Sequence, residues 1–438
     1  KLSWQENGGT TVDSVFELAY INKNVVPINL LNASTIVKEN TFRLNNSYAF
    51  GKHNTKKIND TFSVHHYVPF INIEHTLQIN NHYRTSKDGA FEAFNYNALP
   101  ISTSNDTFFY KQIFHTISNT ITCNLLANKK LIGDSIINQR AYLTTVSAEH
   151  QLINTKSYQY KNDTSNLNVH ASIRSNPFYK SDITFETYVD YSIAGYNKND
   201  NKLMVHIAYL LPQTNAIYGS VLSQRYHPNF SMQYFKSEYY SVQNNLPTTN
   251  MNQIKLGWKL LKYQLKMEYS YSIWDKYNYI TNGFNAATIN NATVSIFEFE
   301  KDFTFKKFHF NNILQVNNQN QTKTIFPKWM YSAQVYYQSF VFKKAMFLQT
   351  GLQLISFEKY DAPYFMPVAD NFYYQNQTHF SQQHQLQFFI NAKIKKVRIF
   401  IKADNLLQGL DGHGTYVSKH YPLPDRTLKL GISWRFLD

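Results

Sequence analysis

Side chains that could do chemistry are few in this chain, and their spacing argues against a reaction centre. The densest histidine pairs are His65 with His66, His379 with His384, and His413 with His420. Covalent catalysis needs a nucleophile beside a base that a third group orients. None of these histidines adjoins a serine or cysteine in such a motif. In HHY, residues 65 to 67, two adjacent ligands on a strand would point to opposite faces and could not converge on one metal. Cys123 is the only cysteine; it excludes an intramolecular disulfide and a zinc finger, and its setting, ISNTITCNLL, reads as a strand. GHGTYVS, residues 412 to 418, lacks the strand-to-helix context of a phosphate cradle. The expectation is a protein that is not an enzyme and carries no cofactor or metal.

The charges that do follow a pattern alternate with apolar residues. YQLKMEYSYSI (263 to 273) sets Lys266 and Glu268 against Tyr263, Leu265, Met267 and Tyr269. VRIFIKADN (397 to 405) places Arg398, Lys402 and Asp404 opposite Val397, Ile399 and Ile401. LKLGISWRFLD (428 to 438) places Lys429 and Arg435 opposite a comb of Leu428, Leu430, Ile432, Trp434 and Phe436. Period two is the period of a strand, and a helix would scatter these residues around its circumference. If the polar side lines a pore, the seven charged residues are its lining, and opposed charges there would orient small polar solutes. The alternative is cross-strand ion pairs that hold an occluded barrel shut.

The elements that must position these residues are long strands. Seventeen candidate strands follow one another between residues 41 and 436, many of about 9 to 12 residues, the length a tilted strand needs to cross a bilayer. In the second half, the short connections LLK (260 to 262), FKK (305 to 307), FKKA (342 to 345) and KIKKV (393 to 397) alternate with long polar stretches at 274 to 290, 319 to 328, 359 to 382 and 406 to 425. Tight turns at one rim and extended loops at the other are the habit of a membrane barrel. Lys306, Lys307, Lys343, Lys344, Lys395 and Lys396 would then ring the short-turn rim in water. Aromatic pairs expected at strand ends, in the bilayer interface, are Tyr67 with Phe70, Tyr188 with Tyr191, Tyr234 with Phe235, Tyr239 with Tyr240, Tyr336 with Tyr337, and Trp434 with Phe436.

Composition agrees. Tyr and Phe each number 33, aromatics make 16% of the 438 residues, and charged residues also make only 16%, where a soluble domain has about 25%. The net charge of +14 is spread along the chain without a recognition motif, which argues against nucleic acid as a partner. No run of about 18 apolar residues would make a membrane helix. KLSWQENGG lacks the basic start and apolar stretch of a signal peptide. The expected fold is therefore all-β: a transmembrane antiparallel barrel of about 16 to 18 strands over residues 41 to 438, preceded by a loop or irregular segment over 1 to 40.

ADNLLQGL (403 to 410), KHYPLPDRTLKLGISWRFLD (419 to 438), YDAPYFMPVADNFY (360 to 373) and, more loosely, QENGGT (5 to 10) resemble the Putative porin family of Bacteroidetes-type bacteria. The resemblance covers the C-terminal 80 residues well and the rest only in pattern. It implies residence in the outer membrane of a Gram-negative bacterium, with lipid and lipopolysaccharide around the barrel. Further barrel strands are expected before Lys1. The terminal comb, Leu428 to Phe436, would be read by the barrel-assembly machinery through strand addition. Two functions are expected: passive diffusion of small hydrophilic solutes, or a non-conducting accessory barrel with outer-membrane protein partners in a larger assembly.

Overall fold

The structure is a computed structural model that describes residues 2–6, 32–57, 63–88, 108–125, 129–132, 135–138, 142–157, 160–175, 181–212, 215–236, 241–281, 285–321, 326–366, 371–375, 382–408, 416–418, 421–423 and 425–435. One 18-stranded antiparallel sheet dominates it. In chain order its strands are β1 (Leu2–Glu6), β2 (Ala33–Lys57), β3 (Ser63–Asp88), β4 (Phe108–Leu125), β5 (Tyr142–Ser157), β6 (Tyr160–Ser175), β7 (Ile183–Gly195), β8 (Asn201–Leu210) and β9 (Ala216–Tyr226). They continue as β10 (Thr249–Leu260), β11 (Leu265–Asp275), β12 (Ala292–Phe305), β13 (Phe308–Gln319), β14 (Trp329–Val341), β15 (Met346–Phe357), β16 (Gln383–Ile394), β17 (Val397–Asp404) and β18 (Thr427–Trp434). Each pairs with the next, an uninterrupted meander. Among the described residues no ladder joins β18 to β1.

The sheet begins earlier than expected. Leu2–Glu6 and the start of β2 at Ala33 fall within residues 1 to 40, read above as irregular. LSWQE is too short to display a period of its own, and its strand state comes from the ladder Leu2↔Val37 to Glu6↔Ala33. Likewise β2 and β3 run for 25 and 26 residues, well beyond the alternating cores 41 to 50 and 72 to 84. Their flanks, ASTIVKEN and GKHNTKK on β2 and SVHHYVPFI and TSKD on β3, do not alternate cleanly between apolar and polar, and the ladder between the two strands holds them extended.

Burial is inverted relative to a soluble sheet. Ser118, Asn166, Ser270, Ser272 and Asn317 are buried, whereas Ile207, Ile254, Leu256 and Ile432 are exposed. Leu428, next to the end of the meander, is 77% exposed. So much unpartnered apolar surface is untenable in water and is expected where hydrocarbon is the solvent. The opposite face is polar and concave. Its concavity follows from the connection 227–248, which leaves β9 yet packs against polar-face residues of β4, with β5 to β8 between them in the meander.

The tight turns at 261–264, 306–307, 342–345 and 395–396 all open the same rim. Lys306, Lys343, Lys344 and Lys395 occupy left-handed backbone there, with φ of 56°, 52°, 69° and 52°, where glycine would fit at least cost. The chain has placed cations at positions whose backbone disfavours them. Lys395→Gly is therefore expected to stabilise the fold by about 1 kcal/mol or less, read as a higher unfolding temperature in detergent.

Beside these turns lies an aromatic girdle. Phe303, Phe305 and Phe308 are exposed, and so is Phe342 in the turn, by 74%. Lys306 lies 5.6 Å from the Phe305 ring centre and Lys262 lies 5.7 Å from that of Tyr263. This girdle differs from the pairs named from sequence. Tyr188 and Tyr336 face the polar side, Tyr336 stacked on His309 at 4.8 Å, while Tyr234 and Phe235 belong to the 227–248 connection. Proximity in sequence to a strand end does not fix which face a ring occupies. Tyr239, Tyr240 and Phe436 lie outside the described residues.

Candidate functional site

The concave polar face and what covers it form the candidate site. Alternation decides its lining: on β11 the side chains of Lys266, Glu268, Ser270 and Ser272 share one face, and register carries that face onto neighbouring strands through Lys255↔Ser270, Lys266↔Glu300 and Glu268↔Glu298. Lys255 meets Glu268 at 2.8 Å, Lys266 meets Glu298 at 2.7 Å and Glu268 at 3.7 Å. Tyr218 on β9 donates its hydroxyl to Glu268 at 2.9 Å. Four strands thus contribute to one charge network.

A second group sits on β17 and β18. Asp404 meets Lys402 at 3.0 Å and Lys429 at 2.7 Å. Lys429 pairs with Asp404 across strands and Lys402 along the same strand. Among the described residues Arg398 has no such carboxylate; it stands directly opposite Lys393 on β16. Arg435 follows the end of β18 and donates its backbone N–H to the Lys396 carbonyl at 3.2 Å. Of the seven lining residues expected from sequence, five therefore fall into two networks and two, Arg398 and Arg435, do not. Leu428, Leu430, Ile432 and Trp434 lie on the opposite, exposed face.

A third group was missed in the sequence. His170 on β6 contacts Asp190 on β7 through Nδ1 and lies 3.7 Å from Glu149 on β5 through Nε2. Asn168 donates to Glu149 at 3.1 Å, and Ser192 donates to Asn168 at 2.7 Å. Parity along β6 could have placed His170 and Asn168 on one face, but no local motif announces their partners. Of the histidine pairs named above, His65 bonds Thr55 at 2.9 Å and His384 bonds Ser356 at 2.7 Å. His66 lies in β3, but its side chain, His379, His413 and His420 fall outside what is described. Among the described residues no three metal-ligating side chains converge.

Rings lie across polar-face glycines. A Cβ on Gly257 would come within 2.1 Å of the Tyr218 ring, and one on Gly431 within 2.1 Å of the Phe400 ring. The glycines let these rings lie flat along the wall. Gly257→Ala is expected to push Tyr218 off Glu268 and cost roughly 1 to 3 kcal/mol by overpacking. Adding Tyr218→Ala should restore most of the lost unfolding temperature, because the clash is then gone.

The long connections converge over the face. In 227–248, a helical turn at Phe230–Gln233 precedes a small hairpin, Tyr234–Lys236 with Ser241–Gln243. Phe235 stacks on Tyr110 of β4 at 5.0 Å, Phe230 meets Phe114 edge-on at 6.4 Å, and Ser157 at the end of β5 donates to the Lys236 carbonyl at 2.9 Å. Tyr196, in the turn after β7, donates to the Pro228 carbonyl at 3.0 Å, and burial pushes its phenol up from its ordinary pKa. Next, Asn278 donates to the Pro247 carbonyl at 2.8 Å, and the Tyr374 N–H to the Ile280 carbonyl at 2.9 Å. The Phe365 N–H reaches Ser418 Oγ at 3.1 Å. Four long connections, those after β9, β11, β15 and β17, are thereby tied into one cover at the rim away from the lysine turns.

Structural comparison finds a similar fold in solved receptors and a transporter. A variant of the ferric enterobactin receptor PfeA from Pseudomonas aeruginosa superposes with a TM-score of 0.57 at 11% identity, covering 92% of this chain and 67% of that one. The copper transporter OprC gives 0.62 at 9% identity, covering 93% and 67%. BauA, the ferric preacinetobactin receptor of Acinetobacter baumannii, gives 0.51 at 8% identity, covering 92% and 63%. At such identities the likeness is one of fold. Among curated proteins none matches. A family model described as "Putative porin" matches residues 1–438.

Proposed function

The chain belongs to the family described as Putative porin, and from that premise we propose that it is an outer-membrane barrel through which small hydrophilic solutes diffuse passively in a Gram-negative bacterium. The observation that carries this reading is the inverted sheet: an exposed apolar face backed by a concave face of paired charges, amides and hydroxyls. A wall of that kind keeps water in contact with the lumen and filters solutes by width and charge. The lysine turns sit at the periplasmic rim and the joined long connections at the extracellular rim, following the usual orientation of such barrels. Lipid and lipopolysaccharide contact the apolar face, and the barrel-assembly machinery handles the terminal strand during insertion.

The tied cover of connections favours a second reading, a non-conducting accessory barrel with outer-membrane partners. Planar-bilayer recording of the purified protein separates the two. Steady conductance steps support diffusion; a correctly folded but silent protein sinks it and favours the accessory role.

A further inference from the structure

The four strands β15 to β18 carry one carboxylate, Asp404, against Lys393, Arg398, Lys402 and Lys429. Asp404 is already shared by Lys402 and Lys429. That leaves Lys393 and Arg398, which are directly opposite each other on adjacent strands. Like charges so placed destabilise a sheet. Among the described residues neither side chain forms an ion pair or hydrogen bond, although both extend over the same hollow. That hollow has a volume of about 360 Å³; Gln349, Asn391 and Ser433 add polar groups to its lining, and Phe347, Ala392, Ile399 and Phe400 make its apolar wall. Asn391 donates to Gln349 at 3.1 Å, so amide groups are already oriented at its wall. Two cations, amide and hydroxyl donors, and the Phe400 ring surround a space large enough for a small solute, with no carboxylate on its lining.

We propose that this hollow is a binding site for a small oxyanion, a solute bearing a phosphate or carboxylate group, held between Lys393 and Arg398. The anion supplies the negative charge that the wall lacks, and Arg398 offers the forked donors that suit such groups. The hollow lies two residues from the turn 395–396, so the cationic rim would concentrate anions at its mouth. The site rests on the diffusion reading for its role, giving that pore an anion preference, but its chemistry can be tested without conduction.

The test is calorimetric titration of the intact protein in neutral detergent with inorganic phosphate at low ionic strength. The wild type should bind phosphate, and the Lys393→Gln, Arg398→Gln variant should bind it roughly tenfold more weakly or worse. Lys393→Glu guards against misfolding: the new carboxylate pairs with Arg398, so the unfolding temperature should hold while binding is lost. Phosphate should also raise the wild-type unfolding temperature more than chloride at equal ionic strength. No binding by the wild type, or equal binding by the variants, would overturn the site. Displacement of phosphate by phosphatidylglycerol nanodiscs, but not by phosphatidylcholine ones, would assign the chemistry to a lipid headgroup and overturn the solute assignment. Reversal potentials measured in parallel keep the two readings apart. A protein that conducts without binding phosphate loses only the site, and one that binds while silent keeps the site and loses the pore.

Discussion

With Phe230, Tyr234 and Phe235 replaced by serine, single-channel conductance is expected to rise roughly twofold or more, because the segment that reaches across the polar face loses its anchors. The Phe235–Tyr110 stack and the Phe230–Phe114 edge contact are each worth about 0.5 to 1.5 kcal/mol beyond area burial. Serine keeps the connection soluble but cannot seat it on β4. What remains on the hairpin itself is the Ser157 hydrogen bond to the Lys236 carbonyl at 2.9 Å, while the Tyr196 and Asn278 bonds to the Pro228 and Pro247 carbonyls hold only the two ends of the connection. The wall strands pair independently of this segment, so the unfolding temperature should change little. A variant with unaltered conductance would place the segment outside the solute path.

Glu268→Gln is expected to shift the reversal potential of a KCl gradient toward chloride. Glu268 is the shared acceptor of Lys255 at 2.8 Å and the Tyr218 hydroxyl at 2.9 Å. The amide has the same shape and still accepts a hydrogen bond, but it leaves Lys255 without its counter-charge, whereas Lys266 keeps Glu298 at 2.7 Å. The glutamate side chain is 18% exposed, enough burial for the loss of this charge pair to cost about 1 to 2 kcal/mol in the fold as well. Selectivity and unfolding temperature should therefore move together. A change in unfolding temperature without any change in reversal potential would identify the network as a strut holding β10 to β12 together, with no part in filtering ions. The reverse result would identify it as a filter.

The two networks also refine the picture of a transverse field. Around β10 to β12 the polar face carries Glu268, Glu298, Glu300 and Asp302 with Lys255, Lys259 and Lys266, so the charges nearly cancel. Around β15 to β18 cations prevail, with Asp404 as the one acid. The field of such a wall arises from this imbalance between sectors: a one-to-one pair such as Lys266 with Glu298 at 2.7 Å contributes little at a distance, whereas Asp404, shared by Lys402 and Lys429, leaves a net positive charge.

Much of the architecture was legible from the chain because a strand's period is local. Leu428, Leu430, Ile432 and Trp434 alternate with Lys429, Gly431 and Ser433 whatever lies beside them, and the same holds for Lys266 and Glu268 or Arg398 and Lys402. The short turns declared themselves through paired lysines between apolar runs. What the chain alone left open was everything that depends on register. Whether Lys266 finds Glu298, or Arg398 finds Lys393 in place of an acid, is decided by a ladder that a slip of one residue would invert. The extension of β2 and β3 past their apolar cores, and the strand state of Leu2–Glu6, came from partner backbones with no side-chain signature. So did the inward path of 227–248: its rings mark it as apolar, but only the curvature of β4 to β9 brings Tyr110 and Phe114 within reach. Period is a property of one segment and can be read from it, whereas register and curvature are properties of the whole set of pairings and exist only once the strands have met.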